Sequence, residues 1–158
     1  MVHRGIATLA GLLMLCYILL SHYDPDFFLL HLYQSLIYLV VILMLFYFED
    51  HYAYMLGMIA PAASLIMMGA TGLISAGLRQ VGWLFAPPYA GHKADPVALM
   101  AAVTAVMLIL MIGFCAYRWK REYAGLGKGL TTFLVSLGVV VVYFAVLIFW
   151  FMRSIGAR

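Results

Sequence analysis

The sequence predicts an all-α integral membrane protein, a helical bundle of about five transmembrane helices forming one domain over residues 1–158. Three observations predict it. Hydrophobic residues make up 67% of the chain and charged residues 9%, with a mean hydropathy of +1.07. A soluble domain is about 45–50% apolar and about 25% charged, and a short chain must still cover its surface with polar groups. Second, the apolar residues fall into runs close to the roughly 20 residues that a helix needs to cross a bilayer. Third, no Asp, Glu, Lys or Arg interrupts the interior of any run. Soluble enzymes, nucleic-acid-binding proteins and disordered tails are excluded by this composition.

The first span is expected over 5–20 and is the shortest. His3 and Arg4 followed by an apolar stretch resemble the start of a signal peptide, but bulky Leu20, His22 and Tyr23 stand where a small-residue cleavage site would be needed. Leu15 before Cys16 likewise fails a lipoprotein signal. A retained helix is therefore expected. The second span is expected over 27–48, with Asp24, Pro25 and Asp26 supplying a turn and an N-cap. The third is expected over 53–78, and the fourth over 97–117 behind the capping pair Asp95 and Pro96. The fifth is expected over 130–152. Between the third and fourth lies the longest connection, 79–95, with Pro87, Pro88 and Gly91 and room for a short interfacial helix around Trp83, Leu84 and Phe85. Trp83, Tyr89, Trp119, Tyr123, Trp150 and Phe151 lie at segment ends or in loops, as an interfacial aromatic belt requires.

Five spans put the N-terminus, the 49–52 link and the 118–128 loop on one side, with Arg4, Arg118, Lys120, Arg121 and Lys128. The opposite side carries Arg79 and Lys93 in its loops and Arg153 and Arg158 in the tail. The short loops favour a cytoplasmic N-terminus, with a cell (inner) membrane as the expected location.

The third span is rich in small residues. Ala60, Pro61, Ser64, Gly69, Gly72 and Ala76 are expected to serve helix packing, because small side chains let backbones approach where no hydrophobic force acts between helices. Pro61 removes a backbone donor and predicts a kink. Ala98, Ala101, Ala102 and Ala105 give the fourth span a similar face. The second and fifth spans carry bulky Leu, Ile, Val and Phe, suited to lipid or to a large partner.

Without interior charge the chain lacks the groups that ion pumps place at membrane depth. Its best polar face is His31, Gln34, Ser35 and Tyr38, spaced by three and four along one side of the second helix. These residues are either interhelical hydrogen-bonding groups or the lining of a cofactor site for a quinone or haem. His31 is the one histidine inside a span, since His3, His22, His51 and His92 fall outside, so a bis-histidine haem held by this chain alone is disfavoured. His22, Asp24, Asp26 and His92 lie on one side but lack ligand spacing, so no metal is expected.

Glu49, Asp50, His51 and Tyr52 read as a solvated corner. Gly125, Gly127, Lys128 and Gly129 superficially resemble a phosphate-binding loop, but Gly129 replaces the required hydroxyl residue and no strand precedes it, so no nucleotide is expected. Cys16 and Cys115 lie within apolar runs and read as small buried hydrophobes.

The reading that follows is a non-catalytic structural or accessory subunit of a larger membrane complex. Its expected partners are the lipid bilayer and other membrane subunits or a second copy of itself. The alternatives are a bundle that binds a quinone, haem or lipid, and a transporter or channel for a neutral solute.

Overall fold

The structure is a computed structural model that describes residues 3–47, 50–85, 94–123 and 129–156. These residues form helices α1 His3–Tyr23, α2 Phe28–Phe46, α3 Asp50–Ala70, α4 Leu73–Phe85, α5 Pro96–Tyr123 and α6 Gly129–Gly156, with a 3-10 turn over Pro25–Phe27 between the first two. Helices α1, α2, α3, α5 and α6 are each long and apolar enough to cross a membrane. The chain is an all-α, multi-pass membrane protein.

Four of these helices close a ring, in which α1 packs on α2, α2 on α3, α3 on α5, and α5 back on α1. Each turns one narrow face inward, at the spacing of three and four that helical geometry demands. On α1 that face is Ile6, Leu9, Ala10, Leu13, Tyr17 and Leu20; on α5 it is Ala98, Ala101, Thr104, Leu108, Met111 and Cys115. The outward residues are large and apolar, such as Ile109 and Phe114 on α5 and Leu36 and Leu43 on α2. A membrane rather than water suits that surface. Helix α6 stands outside the ring, against α3 and along the edge of α2. Tyr143 ties it there, stacking on Tyr33 with ring centres 4.5 Å apart and donating its hydroxyl to the Tyr33 carbonyl.

The first span is longer than the sequence suggested. It runs 21 residues, about 31 Å at the helical rise and enough for a bilayer core. The third span is shorter. The expected helix over 53–78 breaks after Ala70, because Gly72 takes a left-handed conformation with φ +77° that only glycine adopts without strain. Thr71 and Gly72 still donate their amides back to Met67 and Gly69, and the Gly72 carbonyl receives the amide of Ala76 to start α4. Helix α4 is amphipathic and too short to span; it packs against α5. It reaches Trp83, Leu84 and Phe85, where a short interfacial helix was expected, and it extends that helix back to Leu73.

Close approach in the bundle rests on two glycines. A Cβ on Gly57 would sit 2.7 Å from the Cys115 Sγ, and one on Gly77 would sit 2.9 Å from the Ala98 carbonyl oxygen. Gly57 lies one turn before Pro61, whose missing amide leaves the Gly57 carbonyl without its usual helical donor. At the start of α5 the expected cap is present, with the Val97 amide donating to Asp95 Oδ1 at 2.9 Å. Asp24 behaves differently. Its side chain makes no capping hydrogen bond, and the residue that precedes α2 is Phe27.

Candidate functional site

The four polar residues of α2 are all buried, with His31 4%, Gln34 4%, Ser35 1% and Tyr38 0% exposed. They do not form one site. Ser35 spends its hydroxyl on its own helix, donating to the Leu32 carbonyl at 2.7 Å. Ser21 and Thr104 do the same, toward Ile18 and Met100. This is the usual way to satisfy a hydroxyl inside a bilayer.

Tyr38 and Gln34 reach across to α3, and His31 reaches the corner before α2. Tyr38 lies at the centre of the ring, its hydroxyl 3.3 Å from the Ser64 Oγ of α3. Tyr17 of α1 stacks on it with ring centres 5.8 Å apart and planes 15° from parallel. The Tyr17 hydroxyl is buried beside the hydroxyls of Ser64 and Tyr38. One turn nearer the α1–α2 corner, Gln34 offers its amide nitrogen to the Met67 Sδ at 3.9 Å. The Gln34 Oε1 stands 3.4 Å from the His31 Nδ1, and the His31 Nε2 stands 3.6 Å from the Asp24 Oδ2. Three helices and the corner before α2 thus share one polar column.

Tyr17, Met67 and the role of Asp24 were not evident in the sequence. Tyr17 carries a signal there, because it occupies the buried face of α1 at the spacing set by Leu13 and Leu20. Met67 carries none, since a methionine among apolar residues looks like any other core side chain.

The cavity beside the column is small, about 30 Å³, and is lined by Tyr17, His31, Gln34, Met67, Met68 and Thr71 among others. A second hollow of about 320 Å³ lies between α2 and α6, with Leu29, Leu32, Tyr33, Leu36, Val146 and Trp150 on its walls. Its lining is almost wholly apolar.

Of the small residues expected to pack helices, Ala60, Pro61 and Ser64 lie on the buried face of α3. Gly69 is exposed, Gly72 makes the turn, and Ala76 belongs to α4. Among the described residues no three His, Cys, Asp or Glu side chains group as metal ligands. His22 meets Tyr23 edge to face, and His92 lies outside the described residues. The corner formed by Asp50, His51 and Tyr52 begins α3, where His51 packs against Tyr52 and Tyr123; Glu49 lies outside the described residues, as do Gly125, Gly127 and Lys128. Cys16 and Cys115 are free and buried. Comparison with known protein families, with characterised proteins and with solved structures finds no match to this chain.

Proposed function

We propose that this protein is a non-catalytic accessory or structural subunit of a larger membrane assembly, with its N-terminus in the cytoplasm. The observation that carries the reading is the size of the space beside its best polar face. A cavity of about 30 Å³ is roughly a tenth of the smallest pocket that ordinarily holds an organic ligand. Gln34 and Tyr38 spend their polar groups on Met67 and Ser64 of α3, which is what helix packing asks of them. Outward, α6 presents Val142 and Phe149, 64% and 70% exposed, to lipid or to a partner. The orientation rests on Arg4, Arg118, Lys120, Arg121 and Lys128 sharing one side.

A photo-crosslinking side chain placed at Val142 or Phe149 in the native membrane tests the partnership. A discrete adduct with one polypeptide is expected. Adducts with lipid alone at both positions would count against a subunit role on this face.

A second reading, a lipid-binding bundle, is favoured by the apolar hollow between α2 and α6. It lies on two membrane-crossing helices, so the occupant it suits is an acyl chain. Val146→Trp would fill it, and a lipid held there should disappear from the co-purified lipids detected by mass spectrometry. An unchanged lipid profile would remove this reading.

A further inference from the structure

The hydrogen-bond chain along α2 fixes more than packing. A thioether sulfur can only accept, so the Gln34 amide nitrogen faces Met67 and its oxygen faces the His31 Nδ1. Facing a carbonyl oxygen, Nδ1 carries the ring proton. In the neutral ring Nε2 is then a bare acceptor, buried and without a hydrogen bond. The nearest charged group is the Asp24 carboxylate, 3.6 Å away, which is also an acceptor. Two acceptors at that distance need a donor to reconcile them. The cavity that His31 lines is about 30 Å³, above the roughly 10–15 Å³ that one water requires.

We propose that the cavity lined by His31, with the Asp24 carboxylate 3.6 Å from its Nε2, is a water-binding site. A water molecule donates one O–H to the His31 Nε2 and the other to the Asp24 carboxylate. Buried waters typically make about three such bonds to groups that otherwise lack them. Thr71 at the α3–α4 turn is exposed and lines the same cavity, so the cavity reaches the surface of the bundle there. Water is the ligand because the space admits nothing much larger.

Nitrogen-15 NMR of histidine-labelled protein in lipid nanodiscs tests the site at pH 7. The His31 ring is isolated by replacing His3, His22, His51 and His92 with Gln, or identified by difference against His31→Gln if that variant folds poorly. The expected spectrum has a protonated Nδ1 and a bare Nε2, with magnetisation transfer from water protons to the ring. A doubly protonated ring would mean a direct ion pair with Asp24 and would overturn the proposal. So would a neutral ring that receives no transfer from water.

Discussion

The hydroxyls of Tyr38 and Ser64 meet at 3.3 Å in the middle of the bundle, joining α2 to α3 where both side chains are almost fully buried. Inside a bilayer the alternative to this bond is an unsatisfied polar group, yet measured interhelical hydrogen bonds average only about 0.6 kcal/mol, with a maximum of about 1.7. Tyr38→Phe and Ser64→Ala should therefore each lower stability by about 0.5–1.5 kcal/mol. The double variant should lose less than the sum, because each single change leaves its partner stranded. Reversible unfolding in detergent measures the cycle, and strictly additive losses would show that the two hydroxyls are not coupled.

At Gly57, α3 packs tightly against Cys115 and Met111 of α5. An alanine there puts a methyl group 2.7 Å from the Cys115 Sγ, and overpacking of this kind costs about 1–3 kcal/mol. Adding Cys115→Ala removes the sulfur and should recover most of the loss. If Gly57→Ala is neutral in thermal unfolding, the helices do not approach as described.

Gly72 makes the turn that ends α3. A left-handed residue other than glycine costs about 1–2 kcal/mol, so Gly72→Val should destabilise by at least that amount. Gly69→Ala, at an exposed helical position with only Ile74 within 4 Å, should be neutral or stabilising. Equal effects at both positions would argue for one continuous helix through the turn.

The number of spans was legible because hydropathy alone decides it, since each crossing needs a long run without charge. The break at Gly72 was not. Positions 53–78 are uniformly apolar or small, and a hydropathy window cannot tell a glycine that packs from one that turns. The clue was the renewed amphipathic pattern beyond it, with Arg79 on the exposed side and Gln80 buried. The α2 polar face was legible from its spacing, but Ser35 was not separable from its neighbours, because serine's bond to its own helix leaves no trace in sequence. Spacing put Tyr17 on the buried face of α1 but could not join it to the column, and it gave no sign of Met67, which enters only through the packing of α3 on α2. Asp24 looked like a cap because Asp before Pro usually is one. Here the carboxylate lies beside His31 instead.

Orientation gives a fourth prediction. With the 118–128 loop in the cytoplasm, a cysteine at Gly125 in a Cys16→Ala/Cys115→Ala background should react with an impermeant reagent only after permeabilisation. One at Ala90 should react in intact cells. The reverse pattern would place the N-terminus outside and exchange the two faces of the bundle.

Native mass spectrometry of the particle released from its own membrane in mild detergent bears most directly on the central claim. A polar face with no room for an organic ligand, in a bundle whose outer surface is apolar, should yield this chain in fixed ratio with at least one other polypeptide. No mass corresponding to a haem or quinone should be bound to it. A homogeneous particle of this chain alone, carrying either cofactor, would contradict the account.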